Sequence, residues 1–182
     1  MAFKAKKPIV LVGMMGAGKS AVGKALAQRL DLPFLDSDEE IERAAAMSIA
    51  EVFARDGEAF FRDREAEVIA RLLEAGPAVL STGGGAFLAE RNRTEISRIG
   101  VSVWLKADLA LLWERVRHKS TRPLLRTANP RQTLAEIYNA RQESYRLADL
   151  VVEAKPEYSI ADMTERVIGV LATRPDVLEE QN

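Results

Sequence analysis

Gly13-Met14-Met15-Gly16-Ala17-Gly18-Lys19-Ser20 has the spacing G-x-x-x-x-G-K-[ST] of a loop that cradles phosphate. The glycines at 13, 16 and 18 let the backbone take positive φ and approach a ligand with no Cβ in the way. Successive N–H groups can then converge on an anion. Lys19 adds a mobile point charge for the outer phosphates, and the Ser20 hydroxyl is suited to Mg²⁺. The candidate nucleotide contacts are therefore Gly16, Ala17, Gly18, Lys19, Ser20 and Ala21. The flanks agree with this reading. Ile9 to Val12 is a short apolar run, as a buried parallel strand should be. Ser20 to Leu30 carries Val22, Leu26 and Leu30 at i, i+4 and i+8, which predicts a helix whose N-terminus faces the bound phosphate.

Outward from the loop, strand-like runs recur with helical stretches between them. Leu32–Asp36, Ala78–Ser81, Val101–Leu105 and Leu150–Val152 read as strands. Ile49–Arg55, Glu58–Glu74, Leu109–Arg117, Leu134–Leu147 and Ile160–Ala172 read as helices. Such alternation predicts an α/β protein, a parallel sheet with helices on both faces. Ligands in these sheets lie beyond the carboxyl ends of the strands. The tail from Arg174 is expected to fray.

Composition narrows the function. The 182 residues suffice for one domain with a full core, and the net charge of −1 gives no general attraction to nucleic acid or anionic membrane. The chain has no cysteine and a single histidine, His118, which disfavours thiol chemistry, Cys- or His-based metal sites and Ser–His catalysis. The basic Met1–Pro8 segment only loosely resembles a signal peptide, because the apolar run after it is broken by Gly13 and Lys19. No apolar run is long enough to span a membrane, so a cytoplasmic protein is the expectation.

Several residues after the strands are candidates for chemistry, each with a plainer alternative. Asp36 and Asp38 could serve a Mg²⁺ shell and a substrate hydroxyl. Equally, Ser37 or Asp38 could cap a helix with an acidic first turn. Gly83-Gly84-Gly85 could lay backbone N–H groups against a ligand, or form a plain loop. Arg62 could clamp a carboxylate, or pair on a helix surface with Glu58 and Glu65. Between Arg115 and Arg131 stand six Lys or Arg residues and no acid. Without interleaved aromatics this stretch reads better as a lid closing on polyphosphate than as a nucleic-acid patch, with His118 a solvated residue of it.

Taken together, the phosphate loop, Asp36-Ser37-Asp38, Phe61-Arg62, Gly83-Gly84-Gly85, Arg122-Pro123-Leu124-Leu125 and Arg141 resemble, in order and spacing, the shikimate kinases, from about Pro8 to Ile168. The resemblance implies a three-layer P-loop NTPase fold of the nucleoside-monophosphate-kinase type. Its five-stranded parallel sheet would run in the order 2-3-1-4-5, with a substrate-binding subdomain at about 37–65 and a lid at about 115–130. It implies MgATP-dependent phosphorylation of the shikimate 3-hydroxyl, on the route to aromatic amino acids. Asp38, Arg62, Gly84, Gly85 and Arg141 would hold shikimate against an apolar wall of Ile49, Phe53 and Phe61, and Glu65 would orient Arg62. Lys19, Asp38 and Arg122 would be catalytic, Ser20 and Asp36 would serve Mg²⁺, and Arg122 would reach ATP from the lid. Arg115 and Pro156 would flank the base. Gln142-Glu143-Ser144-Tyr145 departs from the Pro-Leu-Tyr usual after that arginine. A monomer binding shikimate and ATP, and neither nucleic acid nor membrane, is the expectation. The alternatives are a related kinase, such as a gluconate or nucleoside monophosphate kinase, and a non-catalytic nucleotide-binding protein.

Overall fold

A computed structural model describes residues 2–118 and 126–182. Arg122 and its neighbours Pro123, Leu124 and Leu125, expected in the lid, lie outside the described residues. In chain order the elements are β1 (Ala2–Ala5), β2 (Ile9–Val12), α1 (Lys19–Leu30), β3 (Phe34–Asp36), α2 (Ser37–Ala45), α3 (Ile49–Glu74), β4 (Val79–Ser81), a 3₁₀ turn (Ala86–Leu88), α4 (Glu90–Ile99), β5 (Val101–Lys106), α5 (Leu109–Val116), α6 (Pro130–Tyr145), β6 (Leu150–Glu153), α7 (Ile160–Leu171) and β7 (Leu178–Gln181).

The main sheet is parallel, in the order β3-β4-β2-β5-β6. Numbering only these strands gives the expected 2-3-1-4-5. The chain moves from β2 outward to β3, returns to β4, and then crosses β2 to reach β5 and β6. Right-handed crossovers therefore send α1 to one face and α3 and α4 to the other. The packing agrees, with α1 against α7 and α3 against α4. Ile9, Val10, Leu11 and Val12 are all but completely buried, which is why this run is continuously apolar rather than alternating.

The point where strand order reverses lies beyond β2, and the phosphate loop sits there. Gly16 (φ 84) and Gly18 (φ 98) take the left-handed backbone that the loop requires. Gly18 occupies the cap position of α1, and among the described residues no side chain caps that helix. The first N–H groups of α1 are thus left to an external acceptor.

Local signals explain the elements that periodicity alone did not reveal. The α2 cap is Asp36, whose Oδ1 accepts from the N–H groups of Asp38 (2.9 Å) and Glu39 (3.2 Å). Neither Ser37 nor Asp38 takes that role, although the acidic first turn is as expected. Ser48 and Glu51 form a reciprocal capping box at the start of α3. Gly57 (φ 86, ψ 171) interrupts α3, which accounts for the two separate helical patterns in the sequence. Helix α6 starts earlier than its apolar period suggests, with Asn129 as cap and Pro130 in the first turn. Arg131 therefore belongs to a helix rather than to a loop.

The expectation of a frayed tail is overturned. β7 pairs antiparallel with β1, in the register Ala2↔Gln181 to Ala5↔Leu178. Val177 and Leu178 are buried, and Lys6 donates its N–H to the Val177 carbonyl at 2.7 Å. Two apolar side chains just before the end of a polar tail were the available signal. Leu178→Ala is expected to lower unfolding stability by roughly 2–5 kcal/mol, the usual cost of emptying a buried leucine site. A urea midpoint unchanged by this substitution would show a tail that contributes nothing to the fold.

Candidate active site

One cleft of about 1180 Å³ runs from the phosphate loop to the triple glycine. Its floor is set by three chain segments that end together, the loop after β2, the start of α2 after β3, and Gly83-Gly84-Gly85 after β4. Thr82 ties two of them, its hydroxyl donating to the Leu11 carbonyl at 3.2 Å. The Gly83 N–H donates to the hydroxyl of the buried Ser37 at 3.3 Å, tying the glycines to α2.

At the phosphate end, Lys19 Nζ donates to the carbonyls of Gly13 (2.6 Å) and Met14 (3.1 Å). Its ammonium is thus held over its own loop, where an incoming anion would meet it. Ser20 and Ala21 are exposed at the start of α1 and line the same cleft. Arg115 was expected beside the base. Its Nη1 donates to the Gly16 carbonyl at 3.0 Å, so α5 braces the phosphate loop directly. Partial burial pulls the Arg115 guanidinium below its ordinary pKa. On this side the cleft wall is formed by Tyr158, Ser159, Ile160 and Met163 rather than by Pro156.

At the other end, the three glycines each face a different charged side chain. The position a Cβ on Gly83 would occupy lies 2.6 Å from Asp38 Oδ1. For Gly84 the neighbour is Arg141 Nη1 at 2.5 Å, and for Gly85 it is Arg62 Nη2 at 2.6 Å. The triple glycine therefore clears room for three side chains brought from α2, α6 and α3. A sequence motif cannot show this, because its partners are 23 to 57 residues away in the chain.

The ion-pair reading of Arg62 holds, and its side chain also lines the cleft. Its Nη1 pairs with Glu65 Oε1 at 2.9 Å, and its Nε stands 3.7 Å from Glu58. Glu65 is buried, and burial raises its pKa against the opposing pull of the Arg62 hydrogen bond. Phe61 lies under the Arg62 guanidinium at 5.2 Å and packs on Phe53 with ring centroids 4.7 Å apart. The aromatic wall thus steers the cation as well as excluding water.

Asp38 is half-buried, and its carboxyl is pushed up to about 6, first by burial and then by the negative charges of Asp36 and Glu65. Lys19 opposes the shift. A residue that sequence reading did not single out is Tyr145, at the last turn of α6. Its hydroxyl donates to the Gly84 carbonyl at 2.7 Å, and its ring packs on Trp104 at 5.8 Å. Its spacing of four from Arg141 puts both on one helix face, and that was the signal available.

Comparison with known proteins shows the family. The family model described as shikimate kinase matches residues 15–172. A shikimate kinase of Ruegeria pomeroyi is 70% identical over 173 residues, covering 95% of this chain and 89% of that protein. One from Cereibacter sphaeroides is 66% identical over 174 residues, covering 96% and 87%. The structure of a shikimate kinase from Acinetobacter baumannii, in complex with shikimate, superposes with a TM-score of 0.85 at 36% identity, covering 92% of this chain and 94% of the other. With a family model matching most of its length and relatives this similar end to end, the chain belongs to the shikimate kinase family.

Proposed function

We propose that the protein transfers the γ-phosphoryl group of MgATP to the 3-hydroxyl of shikimate, giving ADP and shikimate 3-phosphate. The observation that carries this reading is the convergence of one carboxylate and two guanidinium groups on consecutive glycines, in the same cleft as the phosphate loop. Shikimate is a small ring bearing one carboxylate and three hydroxyls. Arg62 and Arg141 suit the carboxylate through charge-assisted hydrogen bonds, and Asp38 suits a hydroxyl. Gly84 and Gly85 supply backbone, and Ile49, Phe53 and Phe61 supply an apolar wall.

Each group then has a defined task. Asp38 orients the 3-hydroxyl and accepts its proton as the oxygen attacks. Near pH 6 and above the carboxylate is ionised, yet more basic than an ordinary aspartate. Lys19 and the N–H groups of Gly16, Ala17, Gly18 and Ser20 hold the transferring and leaving phosphates, leaving catalysis to positioning and charge. The residues fit Mg²⁺. The Asp36 cap uses Oδ1 and leaves Oδ2 for a hydrated ion, Ser20 adds a hydroxyl, and among the described residues no cluster of three or more acidic, His or Cys groups forms a closed cage. Such a site suits an ion that keeps waters and borrows phosphate oxygens. When bound, Mg²⁺ neutralises charge on the β- and γ-phosphates. Arg122, outside the described residues, is assigned to the same phosphates from the lid, and Arg115 to bracing the loop beneath them.

The protein is further read as a cytoplasmic monomer acting on small molecules. Among the described residues no helix is long and apolar enough to cross a membrane. An assay of ADP release tests the function directly. Turnover is expected with shikimate and Mg²⁺, and not with gluconate or a nucleoside monophosphate. Comparable rates with gluconate would move the assignment to the alternative kinase.

Three sets of substitutions separate the roles. Lys19→Ala and Arg122→Ala are each expected to lower kcat by on the order of 100-fold or more, with Arg122→Lys recovering only part. Near-normal turnover with an intact fold by circular dichroism would remove the residue concerned from the phosphate site. Arg62→Ala and Arg141→Ala should each weaken shikimate binding by roughly 1.5–3 kcal/mol and leave ATP affinity alone. Calorimetry showing the reverse would place them in the wrong half of the cleft.

Asp38→Asn should cut kcat by roughly 100-fold and remove the rise in kcat/KM centred near pH 6. Its effect on stability has the opposite sign. The folded pKa, about 6, lies above the ordinary 3.8, so ionising Asp38 works against folding. That group's stability is fully present below pH 3.8 and is lost as pH rises through 6. Asp38→Asn is therefore expected to be more stable than the parent at pH 8 by about 1–3 kcal/mol, with the gap closing on acidification. A gap independent of pH would mean that the carboxyl is not strained by its surroundings.

A further inference from the structure

Three consecutive glycines make a soft piece of chain, because glycine has the most backbone freedom to lose on ordering. The position of such a run is set by what holds its two ends. Its entry is held by Thr82, whose hydroxyl binds the Leu11 carbonyl, and by the Gly83 bond to Ser37. Its exit leads straight into the 3₁₀ turn Ala86–Leu88, and the Ala86 N–H returns to the Gly83 carbonyl at 3.1 Å. The first turn of α4 grips this exit. Asn92 Nδ2 donates to the Ala86 carbonyl at 2.9 Å, a shorter contact than the 3.4 Å bond that the same oxygen accepts from the Ala89 N–H. Arg93 Nη1 donates to the carbonyls of Phe87 (2.7 Å) and Leu88 (2.9 Å). Two consecutive side chains of α4 thus take all three carbonyls of the turn. These acceptors lie outside α4, so the bonds tie two elements together rather than cap one.

We infer that Asn92 and Arg93 are positioning residues for shikimate binding, fixing the 3₁₀ turn and, through it, the triple glycine and the two guanidinium groups that face it. The inference rests on the assignment of Arg62, Arg141 and the glycines to the substrate. Helices α3 and α6, which bring Arg62 and Arg141, both pack against this turn. The turn is therefore the common abutment of the two cations. Arg141 Nη1 stands 2.5 Å from the place a Cβ on Gly84 would take, and Arg62 Nη2 stands 2.6 Å from that of Gly85. With clearance so tight, a small displacement of the turn changes the gap that a bound carboxylate must fill, and recognition by fixed groups is sensitive to such displacements. Asn92 is 3% exposed, and an amide buried that far is costly unless its hydrogen bond is made. Arg93 is half-buried and brings a charged donor to two carbonyls at once, the stronger kind of hydrogen bond. Its guanidinium also lies 5.9 Å from the ring of the buried Phe87, which holds the side chain over the turn.

Asn92→Leu keeps the approximate volume and removes the amide. It is expected to raise the shikimate KM by roughly 5–20-fold, while the ATP KM stays within about twofold. Arg93→Met removes the other two bonds at a position open enough to spare the fold. It is expected to raise the shikimate KM by roughly 3–10-fold, again with little change for ATP. Arg93→Lys should recover most of that loss, since an ammonium can donate to both carbonyls. Ile96→Val is the contrasting variant, because Ile96 is fully buried on the same helix and its trimming leaves both side chains of the grip in place. It is expected to lower the melting temperature and leave the shikimate KM unchanged. The inference is overturned if Arg93→Met leaves the shikimate KM unaltered, if the ATP KM rises as much as the shikimate KM, or if Arg93→Lys recovers nothing. It is equally overturned if Ile96→Val reproduces the KM shift, or if a folded Asn92→Leu binds shikimate normally. Should Asn92→Leu fail to fold, the two Arg93 variants decide the matter alone. Arg62→Ala and Arg141→Ala report on the underlying assignment. If both bind shikimate normally, that assignment has failed, and the inference with it. If they bind weakly while Arg93→Met is normal, only the inference has failed.

Discussion

The parallel pairing of β2 with both β4 and β5 is the constraint on which the remaining structure depends. It places the carboxyl end of β2 in the middle of the sheet, where the order of strands reverses. The turn that leaves this point must rise out of the sheet and begin a helix at once. Glycine backbone makes that turn, and the helix begins with N–H groups for which no side chain among the described residues provides a cap. An anion site is the product of these demands. The same pairing aligns the end of β4 beside it, so the triple glycine opens next to the phosphate loop rather than elsewhere on the surface.

Charge in the cleft is arranged as opposing pairs held at a small separation. Arg62 is matched by Glu65, and Lys19 lies close enough to Asp38 to lower its pKa. Yet Asp38 still sits above its ordinary pKa, because burial and the neighbouring acids outweigh that cation. The protein thus carries an unfavourable carboxylate at the point where the proposed reaction would deliver a proton. Strain of this kind is found where chemistry requires it. It is tolerated because the sheet and the α2 cap hold the backbone of Asp38 in place regardless of its protonation.

Much of this was legible in the chain, and the limits were physical. The phosphate loop, the buried strands and the order of the sheet follow from spacing, apolar continuity and the resemblance those motifs carry. Arg62 illustrates what a linear reading leaves open. Its i+3 and i−4 acids predict a surface pair, and the pair exists, but only the fold turns the same guanidinium toward Gly85. Asp36 was read as a cation ligand, with Ser37 or Asp38 as the cap, and it takes the cap role itself from the extended end of β3. Tyr145 and the β1–β7 ribbon were missed for one reason. Each depends on a partner far away in sequence, which no local pattern identifies.

The ribbon has a consequence for the way the molecule is made. Ala2 pairs with Gln181, so nearly the whole length of the chain separates the two sides of one ladder. β1 leaves the ribosome long before β7 and must wait for it. Closing so long a loop adds little entropy cost over a loop half its size, but it cannot occur before β7 has been synthesised. The sheet, the phosphate loop and the glycine seat can all assemble from the chain between these strands. The cleft is thus independent of when the two strands meet, and the ribbon acts as a late clasp on a domain already shaped.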